Sequence, residues 1–155
     1  MDQQILRPIL GLISSYLLGS IPTAYLFGKI TRGIDLRQHG SGNLGATNAF
    51  RVLGKGIGII VLVIDILKGL IAILLANLFF FPENLEISKN YFLCSIAIAV
   101  VCGHNWTIFL KFKGGKGVAT TLGVLIGFSI LIEKFGLLVI AIVFLWLIIF
   151  IFSGF

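Results

Sequence analysis

An all-α integral membrane protein, a polytopic bundle of about five transmembrane helices, is the fold class this sequence predicts. Three observations carry the prediction. Of 155 residues, 58% are hydrophobic and 12% charged, and the mean hydropathy is +1.10, which leaves too little polar surface to solvate a globule of this size. The apolar residues fall into runs long enough to cross a hydrocarbon layer of about 30 Å. Short glycine-rich, basic segments separate those runs, and the longest polar stretch, 31–55, is too short for a soluble domain. A single transmembrane domain over 1–155 follows.

The first span is expected at 8–30, roughly 35 Å at about 1.5 Å per residue. It is too long for the core of a cleaved signal peptide, and MDQQILRPIL lacks the cationic start of one. Its prolines, Pro8 and Pro22, are tolerable in a lipid helix. A polar loop at 31–55 leads to a second span at 56–81, interrupted by Asp65 and Lys68. FPENLEISKN, at 81–90, reads as an exposed turn. The third span, 91–110, carries the polar interruption GHNW at Gly103 to Trp106 and enters a second basic loop at 111–116. The fourth, 117–132, is short for a full crossing. Glu133 and Lys134 turn the chain into a fifth span at 135–153.

Five alternating crossings place Lys29, Arg32, Arg37, Arg51, Lys55, Lys111, Lys113 and Lys116 on one side, with Asp35 the one acid among them. The other side holds Arg7, Lys89 and Lys134 with Asp2, Glu83, Glu86 and Glu133. By the positive-inside bias the first side is cytoplasmic and the N-terminus is outside. Both basic loops then meet at one membrane face. The net charge of +6 is explained by this topology, and its interleaving with apolar spans argues against a nucleic-acid partner. Cys94 and Cys102 share one apolar run without metal or redox spacing and read as small buried hydrophobes. The pairs Gly54 with Gly58 and Gly123 with Gly127 have the spacing of close helix packing.

Two segments carry candidate chemistry, SGNLGATNAFR at Ser41 to Arg51 and KFKGGKGVAT at Lys111 to Thr120. Glycines allow close approach of backbone N–H groups to a ligand, and Arg51, Lys113 and Lys116 add positive charge, so phosphate is the natural cargo. Ser41, Asn43, Thr47 and Asn48 crowd hydroxyls and amides into one stretch, a ligand nest or a set of helix-start caps. Gly40, Gly42 and Gly45 satisfy GxGxxG, but no strand precedes them, which removes a dinucleotide fold. Lys116 is followed by Gly117, so the second loop is not a nucleotide-triphosphate loop. Its lysines are either a lipid-phosphate anchor or a site at a helix N-terminus.

Asp65 and Lys68 lie three apart on one helical face, where each charge costs about 2.5 to 3.5 kcal/mol to insert. They form an ion pair, or they reach the cleft between the loops. His104, two turns before the second loop, is a structural histidine or a general base. No metal cluster is indicated by the scattered acids and histidines.

At these residues the sequence resembles the bacterial acylphosphate:glycerol-3-phosphate acyltransferase family. SGNLGATNAFR resembles that family's first motif, DILKG its short intramembrane acidic-basic element, and GHNWTIFLKFKGGKGVAT its second motif. The resemblance implies a bacterial plasma-membrane enzyme, its site facing the cytoplasm, that moves a fatty acyl group from acyl phosphate to the 1-hydroxyl of sn-glycerol 3-phosphate. The products are lysophosphatidic acid and phosphate, and no cofactor is needed. The resemblance also implies that Ser41, Asn43, Thr47, Asn48 and Arg51 line the phosphate-binding centre and that Lys116 with its glycines holds the other anionic group. The catalytic residues expected are Ser41, Arg51 and Lys116, with either His104 or a substrate phosphate oxygen as the base. Substrate contacts are expected from Gly42, Asn43, Gly45, Thr47, Asn48, Asp65, Lys68, Lys113, Gly114, Gly115, Gly117 and Thr120. A rival acyltransferase type needs His-x4-Asp, but Leu44 and Phe109 stand five positions after His39 and His104. Members of the resembled family continue for about two more helices, about seven in all, with a serine-containing segment and a late Asn-Glu motif. The chain therefore reads as the N-terminal part of such an enzyme. A small channel or anion-transport subunit, and an inactive fragment, are the competing expectations.

Overall fold

The computed structural model describes residues 3–81 and 89–152. Most of the turn expected at 81–90, and the chain beyond 152, lie outside these residues. Among the described residues there are seven α-helices: α1 (Gln3–Ser20), α2 (Thr23–Arg32), α3 (Ala46–Leu53), α4 (Lys55–Leu75), α5 (Lys89–Asn105), α6 (Val118–Leu131) and α7 (Phe135–Phe152). Stretches 5–32, 55–80 and 89–110 are long and apolar enough to cross a membrane, and α6 is shorter at 14 residues. The protein is an all-α, polytopic membrane bundle.

Periodicity on α4 shows why. Ile59, Val63, Leu67, Ile71 and Leu75 recur every fourth residue and are exposed, an apolar stripe for lipid, whereas Val61, Asp65, Lys68, Ala72 and Ile73 are buried. Lipid tails are as apolar as these side chains, so burial alone does not hold the helices together, and close backbone contact must contribute. Glycine seams supply it. A Cβ on Gly19 would strike the Val100 carbonyl, and one on Gly103 the Tyr16 carbonyl, so α1 and α5 touch backbone to backbone. A Cβ on Gly69 would strike the Thr120 carbonyl, and one on Gly123 the Ile66 carbonyl, which does the same for α4 and α6. Gly123→Leu is expected to destabilise the bundle by about 1–3 kcal/mol through overpacking. Thermal unfolding in detergent measures this, and a variant as stable as the parent contradicts the seam.

Of the glycines singled out from spacing, Gly123 and Gly127 pack closely, the latter on Ile73, and Gly58 lies under Phe50. Gly54 does not pack. It has φ of +95° and open space around its Cβ position, and it turns the chain between α3 and α4. The cysteines also differ from expectation. Cys94 is exposed on the bundle surface and Cys102 half-buried, because α5 spends its buried face on Leu93, Ile96 and Val100.

The apolar run 8–30 is divided. Pro8 sits inside α1 without ending it, but the chain breaks at Ile21 and Pro22 before α2 begins. Carbonyls released by the break find donors: Thr107 Oγ1 donates to Ser20 O at 2.5 Å, and Lys68 Nζ to Ile21 O at 3.1 Å. Irregular backbone at membrane depth persists when neighbouring groups satisfy it in this way.

Candidate active site

The segment before α3 is organised by one side chain. Asn48 is 2% exposed; its Nδ2 faces the carbonyls of Leu36, His39 and Asn43 at 3.4, 3.1 and 2.9 Å, and its Oδ1 accepts from Ser41 N at 2.9 Å. With every polar atom engaged within the protein, Asn48 shapes the loop around Ser41 and has no free group for a ligand. Asn43 Oδ1 accepts from Gly45 N at 2.9 Å, closing a turn into α3. Gly40 and Gly42 have φ of +62° and +72°, a left-handed backbone suited to glycine. Arg32 closes the far end of α3, donating to Val52 O at 2.7 Å and Leu53 O at 3.2 Å. Asp35 pairs with Arg37 at 2.6 Å, and that guanidinium holds its carboxyl down at about 2.

The second loop is pinned to the end of α5. Phe112 N donates to Thr107 O at 2.9 Å and Gly115 N to His104 O at 3.0 Å. A Cβ on Gly114 would strike the His104 carbonyl, and one on Gly115 would strike His104 Nε2. These two glycines therefore serve a protein–protein approach within the chain, where the sequence suggested an approach to ligand. Gly117, with φ of +74°, starts α6.

These constraints bring the two loops together around a cavity of about 740 Å³. Ser41, Asn43, Gly45, Thr47, Asn48, Arg51, Asp65, Lys116 and Gly117 line it. Neither α3 nor α6 has a side-chain cap at its N-terminus, and Ala46, Thr47, Val118 and Ala119 from those first turns form part of the wall. Two helix ends with free N–H groups and positive dipole ends thus meet at one space. Arg51 and Lys116 are exposed to it and form no ion pair among the described residues. Leu62, Val118, Leu122 and Leu125 add apolar lining. These four were not singled out from the sequence, although 118, 122 and 125 follow helical spacing and Leu62 stands one turn before Asp65.

Other expected residues fall elsewhere. Gly42, Lys113 and Gly114 line a neighbouring recess of about 310 Å³ with Arg37 and Asp35. Lys68, His104, Gly114 and Gly115 border a niche of about 10 Å³ under the Ile21–Pro22 break. Thr120 is fully buried, its carbonyl on the Gly69 seam. His104, expected as a catalytic residue, does not line the large cavity; it is 6% exposed, with Nδ1 3.8 Å from Asp65 Oδ1. Position two turns before the loop set its height along α5, but the helix rotation turns the ring behind Asp65. Lys68 Nζ lies 3.0 Å from Asp65 Oδ1, the ion-pair alternative for these two, and Thr23 Oγ1 donates to the same oxygen at 3.0 Å. Among the described residues no cluster of three His, Cys, Asp or Glu could hold a metal ion.

Residues 9–155 match the family model described as glycerol-3-phosphate acyltransferase. The chain is 52% identical over 118 residues to the glycerol-3-phosphate acyltransferase of Synechocystis sp., covering 74% of this chain and 53% of the relative. It is 47% identical over 134 residues to that of Thermoanaerobacter sp., covering 86% and 62%. It thus spans between half and two thirds of these relatives' length. Among solved structures it resembles PlsY (YgiH), an integral membrane glycerol 3-phosphate acyltransferase, in its glycerol 3-phosphate form. That match has a TM-score of 0.69 and 42% identity over 90% of this chain and 66% of the other. The lysophosphatidic acid form matches with a TM-score of 0.66 and 40% identity, covering 90% and 65%. With its loop motifs, membrane bundle and nearly its full length matched, the chain belongs to the glycerol-3-phosphate acyltransferase family.

Proposed function

We propose that the chain carries the phosphate-binding half of an acyltransferase that moves a fatty acyl group from acyl phosphate to the 1-hydroxyl of sn-glycerol 3-phosphate. The observation that carries this reading is the meeting of Arg51, Lys116 and two uncapped helix N-termini at one cavity with apolar lining. Both substrates are phosphates and one has an acyl chain, so each needs a cationic end, and the acyl phosphate needs the leucine lining as well. Lys113 in the adjoining recess adds positive potential that draws anions to the mouth. The solved relative's glycerol 3-phosphate and lysophosphatidic acid forms agree with this choice of substrate and product. A bacterial plasma membrane with the cavity on the cytoplasmic side fits the distribution of basic residues.

Acyl phosphate is a mixed anhydride, so no acyl-enzyme is required, and positioning with charge stabilisation is sufficient. The glycerol hydroxyl oxygen attacks the acyl carbonyl carbon. The ester C–O bond forms, the bond between carbonyl carbon and phosphate oxygen breaks, and inorganic phosphate leaves. His104 stands off the cavity, so the hydroxyl proton goes to an oxygen of the departing phosphate. Arg51, Lys116, the Ser41 and Thr47 hydroxyls and the N–H groups opening α3 and α6 hold the phosphates and the developing oxyanion. His104 acts as a positioning residue for the second loop.

Reconstitution of the protein with palmitoyl phosphate and glycerol 3-phosphate tests the reading. Phosphate release matched by lysophosphatidic acid is expected. Phosphate flux across the vesicle without product points to transport instead, and binding of neither substrate overturns the proposal.

A further inference from the structure

We propose that Asp65 recognises a hydroxyl group of the substrate, making the cavity selective for polyol phosphates over phosphate monoesters that lack free hydroxyls. This deepens, and rests on, the phosphate reading above. Asp65 is a wall residue of the large cavity, 1% exposed, and its two oxygens are used unequally. Oδ1 is held by Thr23 Oγ1 at 3.0 Å and Lys68 Nζ at 3.0 Å, with His104 Nδ1 3.8 Å away. Oδ2 is buried and has no hydrogen-bond partner among the described residues. A buried carboxylate oxygen left without a donor is unfavourable, and a ligand hydroxyl is a neutral donor that would satisfy it.

Charge explains why a carboxylate is tolerated in a cavity built for anions. Alone, it would repel phosphate. Lys68, itself 4% exposed and anchored to Ile21 O at 3.1 Å, cancels that charge and leaves one oxygen as an acceptor. Asp65 orients the hydroxyl while the proton leaves with phosphate. Arg51 and Lys116, which have no acceptor of their own, engage the phosphate. A monoester without hydroxyls satisfies those cations and leaves Oδ2 unpartnered, and that difference is the discrimination.

Calorimetric titration of the detergent-solubilised full chain with glycerol 3-phosphate, propyl phosphate and inorganic phosphate tests the assignment. The parent is expected to bind glycerol 3-phosphate at least about tenfold more tightly than propyl phosphate. Asp65→Leu combined with Lys68→Met removes both charges together and is expected to erase that preference while inorganic phosphate binding persists. Thr23→Val, a change outside the large cavity, releases Oδ1 and is expected to reduce the preference in part, a readout that decides the matter should the double variant not fold. Equal binding of the two organic phosphates by the parent, or an undiminished preference in Thr23→Val and in any folded double variant, overturns the role of Asp65. If the parent binds none of the three, the phosphate reading itself fails.

Discussion

Arg51→Ala is expected to lower turnover of palmitoyl phosphate and glycerol 3-phosphate by about 10²–10³, the scale for losing one preorganised charge or donor at a developing oxyanion. Stability should change little, within about 0.5 kcal/mol, because the side chain is exposed and unpaired among the described residues. The two readouts must separate: lost turnover with an unchanged unfolding midpoint marks a group that acts on substrate. Arg51→Lys retains the charge but not the planar fork that grips two phosphate oxygens, and turnover between parent and alanine variant is expected. Full turnover in Arg51→Ala would remove this residue from the phosphate site. The cavity would then depend on Lys116 and the two helix ends alone.

Much of this site can be read from the chain alone, for definite reasons. Charge asymmetry across the spans puts the segments ending in Arg51 and Lys116 at one membrane face, and both line the same cavity. The three-residue spacing of Asp65 and Lys68 makes an ion pair geometrically available, and the pair is present at 3.0 Å. What spacing does not encode is rotation about a helix axis relative to its neighbours. His104 is near the second loop in sequence, yet its ring is packed on Gly115 behind Asp65. Motif composition likewise does not separate a residue that touches ligand from one that builds the loop. Asn48 and Gly115 sit among apparent ligand residues, and each is occupied by its own chain. The break at Ile21 and Pro22 was hidden because lipid helices carry prolines, and Pro8 does sit within α1. The difference lies in donors far along the chain: Thr107 and Lys68 stabilise the opened carbonyls at Ser20 and Ile21.

Lys68 is therefore a joint between the helix break and the cavity, and its removal should be the most destabilising single change in the bundle. Lys68→Met leaves Asp65 buried with an uncompensated charge and deprives the Ile21 carbonyl of its ammonium donor. Breaking a buried pair by deleting one partner costs about 3–5 kcal/mol, and the unfolding midpoint in detergent should fall accordingly. Replacing both members removes the stranded charge, so Asp65→Leu with Lys68→Met is expected to regain most of that loss, since an apolar pair of similar volume is often no less stable than the ions. Recovery should be incomplete, because Ile21 O keeps only its Thr23 donors and Thr23 Oγ1 loses its Asp65 acceptor. The diagnostic quantity is the coupling across the double-mutant cycle. A large coupling identifies the pair as mutually compensating charges held in a dry interior. Additive losses would mean that Lys68 stabilises the bundle through the Ile21 carbonyl and not through Asp65.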